Sequence, residues 1–438
     1  MPSTFPLFLR PFLALVVASF ALPPFVFAAD HTGMEEPPML ETSLSIDAVL
    51  REVRTNNPQL RSGRARLDAT NERLPQASAW EDPRIGLDVE RSNRRLNSYN
   101  DAEWSVSQTI PVQGKIAQRK QVAKAEIAGA DAALRQVEFE LEMRARVSYY
   151  RLATAEAQLA VNRRNQTVMR QIVEVTRAKY EAGRLRQADV FMAETELVKM
   201  EEARVDLLRA YTEAQTALNN VMNVPPQTPL GHATLPEFVP STISLESMQA
   251  MALAHRPQLR AAESRIASAQ ARATLAERDR YPDPEFRVEA RQYNGSGLYN
   301  IHEYDTGVFI SLPWTNGAKY RAAIREARKM VEAEQHERKA LETETMGMVR
   351  DLWQRLQTFQ HHVELFRGRL VPLARQTIEA TRASYESDRA TLPELLAAQH
   401  TAQEVEAMLN EHLNDYFEAA AELIPLVGSS MAPAPVTP

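Results

Sequence analysis

The sequence predicts a mainly α-helical chain with a small β component, built as two copies of one long-helix hairpin unit. Three observations predict this class. Landmark residues recur in order about 200 positions apart, two very long runs carry coiled-coil periodicity, and four short segments drop to a period of two.

The 438 residues carry a formal net charge of -6 with 25% charged side chains. That balance fits neither a basic nucleic-acid binder nor an acidic disordered tail, so no nucleic-acid partner is expected. There is no cysteine, which excludes disulfides, thiolate metal sites, cysteine nucleophiles and a lipidated N-terminal cysteine. Residues 1–28 read as an export signal. Arg10 precedes the apolar stretch Pro11 to Phe27, and Val26-Phe27-Ala28 places cleavage before Ala29. An uncleaved anchor helix is the competing reading, but Pro23-Pro24 breaks the stretch short of the ~20 residues needed to span a bilayer. Residues 29–43 are expected to be a flexible segment. No later segment has ~18 consecutive apolar residues, so a membrane crossing by this chain requires strands.

The duplication organises the rest. Asn57-Pro58-Gln59-Leu60-Arg61 returns as Arg256-Pro257-Gln258-Leu259-Arg260, and Glu81-Asp82-Pro83 as Pro282-Asp283-Pro284. Ile110-Pro111 with Gly114-Lys115 returns as Leu312-Pro313 with Gly317 and Lys319, and Glu174, Tyr180 and Glu181 return as Glu379, Tyr385 and Glu386. We divide the chain into a first repeat at 44–223, a proline-rich linker at 224–243, a second repeat at 244–428 and a flexible tail at 429–438. In each repeat a helix runs from Gly114 to Tyr180 or from Ala318 to Tyr385, ~100 Å at 1.5 Å per residue, with Pro372 a kink in the second. Shorter helices, Gln59 to Ala79 and Ala188 to Met222, cover that length end to end. The turns between long and returning helices are Glu181 to Gln187, stopped by Gly183, and Glu386 to Thr391, where Asp388 stands in the glycine's place.

Between the short and long helices the period becomes two. Ile85, Leu87 and Val89 alternate with polar residues, as do Trp104, Val106 and Ile110. The second repeat does the same with Phe286, Val288 and Ala290, and with Thr306, Val308, Ile310 and Leu312. This predicts strands at about 84–91, 103–111, 285–292 and 304–312, with the apolar-out, polar-in pattern of a membrane barrel. Soluble hairpins packed on a core would show the same alternation. Four strands close no barrel, since closure takes about eight, so a barrel must be shared among copies in a cyclic assembly.

These residues, in this order and twice over, resemble the TolC family of outer-membrane efflux proteins from Leu44 to Gly428. The carrying fragments are Asn57 to Leu60 with Arg256 to Leu259, Gln108-Thr109-Ile110-Pro111 with Gly114, and Tyr180-Glu181-Ala182-Gly183 ahead of Ala188-Asp189-Val190. Ile110 to Lys115 is similar to the heavy-metal efflux branch. The resemblance implies a homotrimer whose twelve strands, four per chain, form one outer-membrane β-barrel continued by an α-helical barrel. It implies a passive conduit across outer membrane and periplasm, for heavy-metal cations or drugs. The implied partners are outer-membrane lipid, a periplasmic adaptor and an inner-membrane pump of the proton-driven resistance-nodulation-division type. Asn93 to Asp101 and Tyr293 to Glu303 then become cell-surface loops. Asp388 departs from the family's tip glycine, and the lipidated cysteine frequent in that branch is missing.

No Walker, HExxH or GxSxG motif is present, so no catalytic residue, cofactor or metal ligand is expected. His361 and His362 point ~100° apart on a helix and share no metal well. The candidate residues are Glu174 and Glu379, each six positions before its tyrosine, as acidic rings narrowing the periplasmic mouth. Arg177 and Arg382, three residues on, are placed to pair with them. Solvated glutamates on a charged helix are the alternative. Gly183, Arg184, Asp388 and Arg389 are the candidate adaptor-facing tips. A periplasmic coiled-coil adaptor or scaffold would share the long helices but has no need of the strands.

Overall fold

The structure, a computed structural model, describes residues 40–90, 101–293 and 303–428. The expected signal segment, the interiors of both expected surface loops and the tail lie outside the described residues.

Each repeat opens with two consecutive helices divided at an X-Pro step. In the first repeat these are α1 (Ile46–Asn56) and α2 (Pro58–Asn71), followed by α3 (Arg73–Ser78). The single helix expected from Gln59 to Ala79 is therefore divided at Glu72. Pro75, in the first turn of α3, cannot donate to the preceding turn, and its ring opposes an uninterrupted helix. Two antiparallel strands follow, β2 (Arg84–Glu90) and β3 (Asp101–Thr109), and then α4 (Lys115–Glu181), 67 residues and ~100 Å long. α5 (Gln187–Met222) returns along it. The second repeat gives α6 (Leu245–His255), α7 (Pro257–Arg278), β5 (Pro284–Tyr293), β6 (Glu303–Ile310) and α8 (Gly317–Leu365). α9 (Val371–Glu386), α10 (Leu392–Glu422) and α11 (Ile424–Val427) complete it.

Pro372 does not simply kink the second long helix. The backbone widens into a π turn over Phe366–Leu370, between α8 and α9, directly ahead of the proline. A wider turn makes room for a ring that would otherwise strike a carbonyl one turn back, and the helix continues.

The segment expected to be flexible at 29–43 ends otherwise. β1 (Leu40–Leu44) pairs in parallel with β4 (Gly231–Ala233), inside the expected linker. Side chains from the long helices hold this linker. The Tyr149 hydroxyl donates to the carbonyls of Leu44 (2.9 Å) and Thr234 (3.1 Å), and the Glu156 carboxylate accepts from the Ala233 amide at 3.2 Å. In the second repeat Tyr416 donates to Val239 (2.7 Å) and the Trp353 indole to Ile243 (3.1 Å). The main apolar core lies at this level, with Leu152, Leu159, Tyr211, Leu218, Leu356 and Leu423 essentially fully buried.

β2, β3, β5 and β6 form one four-stranded antiparallel sheet in that order. Its register aligns like with like. Ile85 faces Val106, which faces Val288, while Leu87 faces Trp104, which faces Ala290. Residues directly opposite share a face, so one side is apolar. On the other side Glu103 lies opposite Arg291, and their side chains pair at 2.6 Å; Arg287 pairs with Glu285 (3.2 Å) and Glu289 (3.3 Å). The apolar side stays open, with Ile85 78% and Val308 56% exposed. An arginine in the middle of that face should cost about 2–4 kcal/mol in a bilayer. Val288→Arg is therefore expected to lower the yield of protein assembled in the outer membrane, while Ser105→Arg on the charged face assembles normally. Heat-modifiable migration in gels separates the two outcomes.

Candidate functional site

The site is a wall rather than a pocket. Below the sheet, α2 packs on α4, α4 on α7 and α7 on α8, so the helices stand in a row with α2 and α8 at its ends. A groove of about 730 Å³ is lined by residues from all four, among them Thr70, Glu126, Ser268 and Ala323. A groove that every helix of a row can reach lies on the row's concave side. Across it Glu126 joins Arg73 (2.8 Å) and Arg272 (2.7 Å). Burial pushes the Glu126 carboxyl up, but the two guanidiniums outweigh burial and leave it below the usual carboxylate range.

Sheet and wall are tied at their junction. Gly114 takes a left-handed φ of 69°, turning the chain into α4, and Lys115 is buried at once. Its ammonium donates to Asp283 (2.8 Å) and to the Tyr281 carbonyl (2.8 Å), and the other Asp283 oxygen accepts the Val112 amide (2.9 Å). One lysine thus fastens the start of the first long helix to the entry of the second repeat's strands. Lys319, its counterpart in the duplicated pattern, is exposed.

At the far end the two turns meet. Met169, Ile172, Val173, Ala193, Tyr385, Leu392 and Leu395 form a second, separate apolar cluster shared by both repeats. Tyr385 is 2% exposed, and its hydroxyl lies 2.9 Å from the buried hydroxyl of Thr176. Its counterpart Tyr180 is 41% exposed. The duplication is therefore broken at the tip, where the first repeat offers a pocket and the second fills it.

Gly183 (φ 72°) and Asp388 (φ 60°) occupy the same left-handed position at the two helix ends. The amide after each accepts the same duty: Arg184 N–H donates to Lys179 O and Arg389 N–H to Ser384 O, both at 2.8 Å. An aspartate tolerates this conformation better than most residues, and here it gains partners a glycine lacks. Its carboxylate takes Lys179 at 2.6 Å and Arg184 at 3.2 Å. Lys179 also donates to the Tyr385 carbonyl and lies 4.4 Å from that ring's centroid. Beyond each turn a carboxylate at the start of the returning helix accepts a backbone amide, Asp189 from Arg186 (3.0 Å) and Glu394 from Thr391 (2.8 Å).

The expected pairings are corrected in part. Glu174 is exposed and only 3.6 Å from Arg177, whose closer partner is Glu194 on α5 at 2.8 Å. Arg382 does not turn to Glu379. It pairs with Glu386 (3.2 Å) and with Gln171 of the first repeat (3.2 Å), leaving Glu379 on the exposed surface. Glu386 lies on the opposite side of Arg382 at the favourable four-residue spacing. Arg184 and Arg389 are exposed on the turns. Lys179, Thr176 and Tyr385 form the contact between repeats at the tip, which no local pattern marks, since the partners are more than 200 positions apart.

Among the described residues no helix is long and apolar enough to cross a membrane, and no three His, Cys, Asp or Glu side chains are grouped to hold a metal ion. An amphipathic sheet continued by a concave helical wall defines a membrane channel protein whose crossing is made by strands. The model of the outer membrane efflux protein family matches residues 49–224 and 249–429, and the chain belongs to that family. It is an efflux-channel component of the outer membrane, reaching into the periplasm, and not an enzyme. The fold is similar to that of the outer membrane protein VceC of Vibrio cholerae (TM-score 0.73, 18% identity, covering 88% of this chain and 96% of that one). It is also similar to CusC (0.71, 15%, 89% and 93%) and to the Campylobacter jejuni outer membrane channel CmeC (0.73, 12%, 87% and 85%). At these identities the likeness is one of fold. The curated proteins give no match.

Hydrogen bonding from Lys179, then the charges of Lys179 and Arg184, hold the Asp388 carboxyl below its ordinary value. A lowered folded pKa contributes stability that is present above the unfolded value and is lost as pH falls through the folded one. The tip contact should therefore be intact at neutral pH and loosen below the ordinary aspartate range. Asp388→Asn keeps the turn but removes the charge, and amide exchange at residues 384–390 is expected to be faster than in the unaltered protein at neutral pH, with the difference closing in acid.

Proposed function

We propose that the chain is one third of a homotrimeric conduit that spans the outer membrane and crosses the periplasm, receiving substrate from an inner-membrane pump through a periplasmic adaptor. The observation that carries this reading is the double incompleteness of the protomer. Among the described residues the sheet ends in the unpaired edges of β2 and β6, and the helical row ends in α2 and α8. Both gaps open at the same two flanks, so a single rotation repeated three times would close a twelve-stranded barrel and a helical tunnel together.

The turns at Glu181 to Gln187 and Glu386 to Thr391 lie about 100 Å along α4 from the strands, which supports them as the adaptor-facing end. The adaptor would meet Gly183, Arg184, Asp388 and Arg389, and the pump would be of the proton-driven resistance-nodulation-division type. Glu174 and Glu379 would stand one to two turns above the tips as acidic rings favouring cations. Heavy-metal cations are the cargo we favour, on the Ile110 to Lys115 run; a conduit for them would bind them weakly, since occupancy must permit exit.

Two experiments test this. Cysteine pairs placed on β2 and β6 of the same chain are expected to cross-link into a covalent trimer in membranes; exclusively dimeric or monomeric products would contradict it. Glu174→Gln with Glu379→Gln, in correctly assembled protein, is expected to reduce cation preference in planar bilayers. Unchanged conductance and selectivity would return both residues to a solvated surface role.

A further inference from the structure

The sequence sets His361 beside His362, but the partner the fold gives His362 is His412, across the interface between α8 and α10. Their ring centroids are 4.7 Å apart with the planes inclined at 50°. Phe366, the first residue of the π turn, sets its ring 4.8 Å from that of His412 in an edge-on contact. The Nδ1 atoms of both histidines are inaccessible to solvent and have no hydrogen-bond partner among the described residues.

An imidazole nitrogen that is buried and unpaired is a cost, and here two such costs are placed side by side. A neutral imidazole keeps one ring-nitrogen lone pair to give to a cation. With a metal–nitrogen bond of about 2.0–2.1 Å, each centroid would lie about 3.2 Å from a shared ion, and two centroids at this separation subtend roughly 95° at it. That is close to the angle between neighbouring ligands of an octahedral ion and somewhat below the tetrahedral one. Asp415, one turn along α10, and Glu411 both act on His412 electrostatically, which adds negative potential where a cation would sit. His361 keeps its ring 6.4 Å from that of His362 and has no place in the pair.

We infer that His362 and His412 form a two-imidazole site for a divalent transition cation, clipping α8 to α10 beside the π turn. Imidazole suits zinc, copper and nickel and does not suit magnesium or calcium. Two protein ligands make a site of modest affinity. It is independent of the tunnel's cargo, because it depends on the packing of two helices and not on the acidic rings.

The test uses untagged, detergent-solubilised protein titrated with Zn²⁺ in a calorimeter, with Mg²⁺ as the control. One Zn²⁺ per chain is expected, with no heat from Mg²⁺. His362→Gln and His412→Gln should each weaken Zn²⁺ at least about tenfold, while His361→Gln binds as the unaltered protein does. No Zn²⁺ binding in the unaltered protein, or undiminished binding in both variants, would overturn the proposal. Should a variant fail to fold, Cu²⁺ bound to the unaltered protein decides by its electron paramagnetic resonance. Coupling to two imidazole nitrogens supports the site, and coupling to one or none overturns it.

Discussion

Backbone amides and carbonyls at the two edges of the sheet govern the design of this molecule. In water an open edge strand is tolerable, because solvent satisfies it. In hydrocarbon each unpaired group costs several kcal/mol, and only closed barrels avoid the penalty. The apolar face built by Ile85, Leu87, Val106, Val288 and Val308 commits the sheet to hydrocarbon, and that commitment makes the free edges of β2 and β6 untenable in a single chain. In the proposed trimer, closure by copies would set the curvature of the sheet. The helical row is fastened to the sheet through Lys115 and Asp283.

Duplication supplies the repeated parts, and departures from it supply the contacts between them. Lys115 is buried in an ion pair where Lys319 is exposed, and Tyr385 is buried where Tyr180 is exposed. Asp388 replaces a glycine and converts a strained backbone position into the anchor for Lys179 and Arg184. In each case one repeat has become donor and the other acceptor. Two identical repeats would present like charges or like cavities to each other, and neither arrangement holds the tips together.

The sequence revealed elements whose pattern is local and long. Alternation over seven to ten residues marked the strands, and sustained heptad spacing marked α4 and α8. It resolved less where the deciding partner lies far along the chain. Three residues at Gly231–Ala233 carry no pattern of their own, and only the arrival of Leu40–Leu44 makes them a strand. Arg382 pairs with Glu386 on its own helix and also reaches Gln171 of the first repeat, a contact that no spacing rule contains. No local pattern marks His412, which meets His362 only through the packing of α10 on α8. Pro372 marks a disturbance in the sequence, but the widened turn that absorbs it begins six residues upstream, at Phe366.

In the proposed trimer the edge strands are not edges in the membrane. Amide hydrogen exchange on the protein in outer-membrane vesicles measures this strand by strand, since an amide paired to a neighbouring chain exchanges slowly and a free one does not. The amides of β2 and β6 are expected to be protected along both sides, to the same degree as those of the inner strands β3 and β5. Rapid exchange along the outer side of either edge strand, in protein whose inner strands are protected, would contradict it.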